Sequence, residues 1–256
     1  MRVSDYLNAQ GLVLERFLDQ DSGNVAYVVE SAGRRRWLKV LDRERTPIDD
    51  PKKVVQFYNS IASNLVPTNW RLVEADDGML LECDWVPGSV LSSPSENRAD
   101  STSAYQRFRR LPLEDQLRAF NHVLGLFVEI EAMNVVVEDF YDGCIIYDFD
   151  GSNVHVCDLD HVHWGAYVLD RERQYGSSRF MAPEEWHRGS VIDHRTNVYT
   201  IGATGFVLLT DNDRTVDGFP MRRSAWEVLK RATSEDPQLR QSSIRELSED
   251  WHRSLG

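Results

Sequence analysis

Cysteine is scarce and unpatterned. Only Cys83, Cys144 and Cys157 occur, an odd number without the short paired spacings of a zinc site, so neither a disulfide framework nor a structural zinc centre is expected. That usage suits a reducing cytoplasm, where the protein is expected to reside. Long apolar runs are also lacking. Met1–Gln10 shows no basic stretch followed by an apolar one, and the longest uncharged segment, Thr196–Thr210, is too short to cross a bilayer. Positive charge is in deficit: 29 Lys plus Arg stand against 41 Asp plus Glu, a net charge of -12 that repels nucleic-acid phosphates and anionic membrane surfaces. The one dense basic run, Arg34–Arg36, has no aromatic-rich groove motif beside it and reads as turn decoration. Nucleic acid and membrane are therefore not expected as partners.

What is present is a core. With 41% apolar residues in 256, the chain fits one large domain or two lobes sharing a cleft. Val25, Tyr27 and Val29, then Trp37, Leu38 and Val40, flank Ser31–Gly33 and predict a hairpin. Asp50 before Pro51 predicts a capped helix, with Val54, Phe57, Ile61 and Leu65 at helical spacing. Two further strands are expected at Trp70–Val73 and Met79–Trp85, around a turn at Ala75–Gly78. The character changes at Val86-Pro87-Gly88, and Leu91–Thr102 is Ser-rich and polar, unsuited to a core. Helices are expected at Leu113–Met133, Thr196–Leu209, Ser224–Thr233 and Ser242–Ser254. The fold class that follows is α+β, with a small β-rich lobe over residues 1–86 and a larger, mainly helical lobe over residues 87–256.

The most informative stretch is Val135–Asp160, where Asp139 and Asp158 flank two short apolar strands. Two carboxylates at the ends of a hairpin can face one cleft, one near a nucleophile's proton and the other near a metal. Turn acids at strand ends would give the same pattern.

This stretch resembles the catalytic loop and metal-binding loop of eukaryotic-type protein kinases, His-Arg-Asp with an Asn five residues on, then Asp-Phe-Gly. Val137-Glu138-Asp139 stands at the first motif, Cys144 at the Asn and Asp158-Leu159-Asp160 at the third. Lys39 resembles the strand lysine on the nucleotide phosphates. Gly23-Asn24-Val25 matches the end of the glycine-rich loop, and Cys83-Asp84-Trp85 the adenine-pocket residue and hinge, whose backbone would bond the base. Gly176–Glu184 is similar to the end of an activation segment, with Ser177 bridging to Asp139. Asp236-Pro237 with Arg240 resembles the late brace on Glu184.

The resemblance implies an ATP- and Mg²⁺-dependent kinase acting on Ser/Thr hydroxyls of a protein, with Lys39, Asp139 and Ser177 catalytic. The metal set it implies is Asp158 with Asp160 or Cys144, and Asp142 as a further oxygen source. The departures are specific. Leu18 and Gln20 replace two glycines, and Gln56 is the nearest candidate for the helix glutamate. Cys144 puts a soft thiol where a hard oxygen is needed. Glu138 would repel a phosphate, so no switching by phosphorylation at Ser177 or Ser178 is expected. Asn197 can still accept bonds from the catalytic-loop amides. A pseudokinase that holds a nucleotide or a partner is the alternative. A small-molecule kinase is the third, disfavoured by Ala182-Pro183-Glu184 and Arg240. His161 and His163 raise a transition-metal site, but alternate His residues more often mark plain surface.

Overall fold

The alternating apolar pattern from Val25 folds as a hairpin, the centre of a five-stranded antiparallel sheet. The computed structural model describes residues 1–17, 24–41, 48, 50–93 and 97–256. These form two units, Met1–Gly88 with Ser93–Asn97 and Ser89–Ser92 with Arg98–Gly256.

The first unit contains, in order, α1 (Val3–Ala9), β1 (Leu12–Phe17), β2 (Val25–Ser31), β3 (Arg34–Val40), α2 (Pro51–Ser60), β4 (Arg71–Ala75) and β5 (Gly78–Asp84). The strands lie in the order β1-β2-β3-β5-β4. Ser31 pairs with Arg34, leaving Ala32 and Gly33 as a two-residue turn with φ of 51° and 75°, the left-handed pair that matches strand twist. One sheet face carries Val29, Leu38 and Leu80, covered by Tyr6 and Leu7 of α1. The helix α1 escaped the sequence reading because it is seven residues long with only these two buried. It is also tied by charge. Glu82, 2% exposed, accepts from Tyr6 Oη (2.6 Å), Arg36 Nη1 (2.6 Å) and Arg71 Nη2 (2.5 Å), so the buried carboxylate is fully compensated. Burial, then the bond to Glu82, pushes the Tyr6 phenol up to about 12.

Asp50 caps α2 as expected, accepting from the Lys52 and Lys53 amides, with Pro51 as first helical residue. The helix ends at Ser60, short of the Leu65 its spacing implied. Tyr58 stacks on Trp70 at 3.8 Å, and Asn59 bonds both backbone groups of Trp70, so the chain is turned back before another helical turn forms.

The second unit contains β6 (Ser89–Val90), α3 (Ala104–Arg109), α4 (Leu113–Ala132), β7 (Val135–Val137), β8 (Ile145–Asp148), β9 (Asn153–Val156), β10 (Val162–Trp164), β11 (Tyr167–Val168), β12 (Val191–Ile192), α5 (His194–Thr210), α6 (Arg223–Ala232) and α7 (Ile244–Leu255). The Ser-rich stretch is not wholly outside the core. Its Leu91 is fully buried and donates its amide to Ile145, next to the sheet β6-β8-β9.

At the centre lies α5, buried on all sides because nearly every residue from Thr196 to Thr210 is apolar or small. Gly202 and Gly205 let α6 come close: a Cβ on either would fall 2.7 Å from Ala232 Cβ or 2.8 Å from Leu229 Cδ1. The α+β architecture expected from the sequence is thus present, a β-rich first unit and a mainly helical second one.

Arg240 has no side-chain exposure, and Glu184 pairs with it through both oxygens, at 2.7 and 2.8 Å. The remaining guanidinium hydrogens go to the carbonyls of Ser234, Arg195 and Glu235, so all five donors are used. Thr196 Oγ1 also donates to Glu184. Removing one partner strands a buried charge: Arg240→Ala is expected to lower stability by about 3–5 kcal/mol. Arg223→Ala, which breaks the exposed pair with Glu227, should cost under about 1 kcal/mol. Urea midpoints measure both, and equal losses would contradict this ranking.

Candidate active site

Lys39 is carried by β3, opposite Ala26 of β2 and Leu81 of β5. Directly paired residues share a face, so Lys39 lies with Ala26, Val28, Trp37, Leu81 and Cys83, on the face opposite the one that α1 covers. It is 7% exposed, a place where an ammonium is expensive unless compensated. No carboxylate of α2 holds it, because that helix contains no Asp or Glu, and Gln56 is exposed.

Cys83 is buried on the same sheet face. Asp84 donates its amide to Thr68 and Trp85 to Arg35, so these two donors of the expected hinge are engaged within the unit. The Asp84 carboxylate accepts from Arg34, Thr68 and Asn69. Val25 opens β2 opposite Val40. Gly23, Leu18 and Gln20 lie outside the described residues.

In the second unit, β7 leads into Asp139. The buried Asn197 of α5 accepts from the Val137 amide (2.9 Å) and donates to the Val137 carbonyl (2.7 Å). A carboxylate could only accept, so the amide at this position makes one more bond than an Asp would. Glu138 donates its amide to His161, extending the β7–β10 ladder, and Asp139 follows with φ of 56°. The chain then passes Cys144 into β8, returns along β9, and reaches Asp158 with φ of 57°.

Both acids thus adopt left-handed backbone, uncommon for residues with a side chain and concentrated where geometry serves a site. They share one electrostatic neighbourhood. The Tyr141 phenol is pushed up by burial, then by Cys144, Asp158 and Asp139. Tyr141 lies over Gly143, where a Cβ would fall 2.3 Å from its ring, so a side chain there would displace the tyrosine.

Cys144 is fully buried. Desolvation, followed by Asp158, Cys157 and Asp139, holds its thiol well above the ordinary value, and its Sγ donates to the Asp139 carbonyl at 3.5 Å. The thiol hydrogen is thus engaged with the loop. Asp142 is engaged too: Arg179 takes both its oxygens, at 2.9 and 3.0 Å, and Arg98 binds it as well. Asp160 is 2% exposed, whereas Asp158 is open to solvent. Magnesium is commonly held by one or two carboxylates together with substrate phosphates and water, and Asp158 fits that pattern. Among the described residues, no group of three or more His, Cys, Asp or Glu side chains could hold a metal alone. His161 and His163 are half-buried against Tyr175 and Tyr167, not exposed as plain surface residues.

The segment Gly176–Glu184 lies against Asp139. A Cβ on Gly176, whose φ is 135°, would stand 3.4 Å from Asp139 Oδ1, and Ser177 lines one small pocket with Asp139, Phe180 and Glu185. Arg179 anchors the segment on Asp142 and Glu184 on Arg240. The anchor at Asp142 was missed in the sequence, where the only signal was an isolated Arg beside Phe180 and Met181. Glu138 bonds the Tyr167 phenol, and burial followed by Glu138 raises that phenol further.

No protein-family model matches the sequence, and no curated protein matches it. Solved structures do. The kinase PK-1 of Cydia pomonella granulovirus superposes with a TM-score of 0.71 at 14% identity, over 99% of this chain and 97% of that one. A double mutant of the PknI kinase domain of Mycobacterium tuberculosis superposes with a TM-score of 0.65 at 18% identity, over 97% of each chain. The chain therefore has the protein-kinase fold along nearly its whole length.

Glu185 gives this region a pH signature. It is buried, and desolvation, with Glu184, Glu138 and Asp139 nearby, raises its carboxyl from 4.5 to about 8 despite the Ala182 amide that bonds it. The folded protein holds this proton more tightly than the unfolded chain. Its contribution is full below the unfolded value of 4.5 and fades as pH rises toward about 8. Glu185→Gln should flatten the fall in urea midpoint between about pH 5 and about pH 8. A variant as pH-dependent as the parent would contradict the assignment.

Proposed function

We propose that this protein is an ATP-dependent phosphotransferase of protein-kinase type acting on Ser/Thr hydroxyls, with ATP and a protein substrate as partners. The observation that carries the reading is the pair of left-handed carboxylates, Asp139 and Asp158, at the two ends of the β7-to-β9 region. Asp139 orients the acceptor hydroxyl and takes its proton, Asp158 holds Mg²⁺, and Lys39 neutralises nucleotide phosphate charge. Magnesium, when bound with ATP, neutralises charge on the transferring phosphoryl group. Ser177, in one pocket with Asp139, positions that carboxylate for the acceptor. Phosphoryl transfer needs chiefly positioning and charge neutralisation, and these three residue types could supply slow turnover.

A second reading, a nucleotide-binding pseudokinase, is favoured by the neutral Cys144 thiol and the sequestered Asp142, which leave Asp158 the one solvent-facing carboxylate of the implied metal set. A small-molecule kinase is disfavoured by the Glu184–Arg240 brace, which orders a segment suited to a protein substrate.

An ATP titration followed by melting temperature, with and without Mg²⁺, separates these. Ligand at about a hundred times its Kd stabilises by about 2.7 kcal/mol. The phosphotransferase reading predicts a rise that grows with Mg²⁺, and loss of that increment in Asp158→Asn. A rise indifferent to Mg²⁺ and to Asp158→Asn favours the pseudokinase.

A further inference from the structure

The three cysteines are all thiols, and two of them flank the end of one β-ladder, Cys144 closing a 3-10 turn just before β8 and Cys157 following β9. In β8–β9, Ile145 pairs with Val156, so the next position outward brings Cys144 beside Cys157. One bond joins them there: the Cys157 amide donates to the Cys144 carbonyl at 2.9 Å, while the Cys144 amide turns to Tyr141. Directly opposed residues of antiparallel strands have Cα atoms about 4.5–5.5 Å apart and side chains on one face, inside the span of about 4.4–6.8 Å that a disulfide bridges.

Both sulfurs also point to the same loop. Cys144 Sγ donates to the Asp139 carbonyl and Cys157 Sγ to the Gly143 carbonyl, at 3.5 and 4.0 Å. Their accessibility differs: Cys144 is buried, Cys157 partly exposed. Cys83 is buried on β5, in the sheet of the first unit.

We propose that Cys144 and Cys157 form a reversible disulfide that regulates the site, with a low-molecular-weight disulfide such as oxidised glutathione as oxidant. The accessible Cys157 thiolate attacks one glutathione sulfur. The glutathione S–S bond breaks, one glutathione leaves as thiolate, and Cys157 carries the other as a mixed disulfide. Cys144 then attacks the Cys157 sulfur, its proton passes to the departing glutathione thiolate, and the protein disulfide closes. Two protein thiols are oxidised, and one glutathione disulfide is reduced to two thiols. Cys144 is buried and Cys157 partly exposed, so the external disulfide reaches Cys157 first and the mixed disulfide there precedes the cross-link.

Closing the bond withdraws the Cys144 thiol from the Asp139 carbonyl and ties the residue before Asp158 to the catalytic loop. The regulatory consequence rests on the phosphotransferase reading; the disulfide itself does not.

The test treats the whole protein with oxidised glutathione, then digests it without reduction using a protease that cuts at aspartate, because Asp148 and Asp150 lie between the two cysteines. The expected result is that the peptides holding Cys144 and Cys157 stay joined until reduced, that Cys157→Ser abolishes the link, and that Cys144→Ser stops at glutathionylated Cys157. Glutathione retained on wild-type Cys157 while Cys144 stays a thiol, or linkage to Cys83, overturns the proposal. The wild-type digest decides even where a variant fails to fold. Phosphoryl transfer is read on the same samples and should fall on the order of a hundredfold on oxidation, as for an ångström-scale displacement of a reacting group, and return on reduction. A cross-link that leaves transfer undiminished overturns the regulatory role. A cross-link in a protein inactive in both states leaves the disulfide standing and removes the phosphotransferase reading; activity without any cross-link does the reverse.

Discussion

Asn197 grips both backbone groups of Val137, and the placement of Asp139 depends on that grip. The amide sits on α5, the most buried helix, whose neighbours α4, α6 and α7 fix it from several sides. Through two hydrogen bonds it transmits that rigidity to β7, two residues before Asp139. Without an anchored strand, a left-handed Asp139 would have no reason to persist, since such backbone costs about 1–3 kcal/mol and survives only where the surroundings over-determine it.

A second theme is how charge is used in place of a phosphate. The segment from Gly176 to Glu184 is fastened by Arg179 on buried Asp142 and by Arg240 on Glu184. Both anchors are permanent ion pairs made from the chain's own side chains. Glu138 fits this scheme. It stands near Glu185 and Tyr167, an acidic setting that disfavours a bound phosphate. The cost is local: burial, and then the neighbouring Glu184, Glu138 and Asp139, raise the Glu185 carboxyl to about 8.

The sequence made the architecture legible where residues of opposite habit alternate. The β2–β3 hairpin, the Asp50-Pro51 helix start and the uncharged stretch of α5 each carry a local physical signal, and each folds accordingly. The Glu184–Arg240 pair and the Asn197 clamp were readable from the resemblance to kinases, which brings distant residues together where spacing alone cannot. Other features were not legible because they exist only in three dimensions. The clasp of Arg98 and Arg179 on Asp142 joins residues far apart in the chain, and α1 is held by a buried Glu82 that its own seven residues do not foreshadow. The opposition of Cys144 to Cys157 needed the register of β8 and β9. Burial of Cys144 and the bond of its thiol to the loop that carries Asp139 were likewise not legible in the sequence.

The central claim is that Asp139 and Asp158 serve phosphoryl transfer. The most direct measurement follows the γ-phosphate of labelled ATP onto protein hydroxyls, comparing the wild type with Asp139→Asn at matched ATP and Mg²⁺. The account predicts slow transfer by the wild type and a loss of at least about a hundredfold in the variant, the lower range for removing a positioned general base. Equal labelling of both proteins would contradict it.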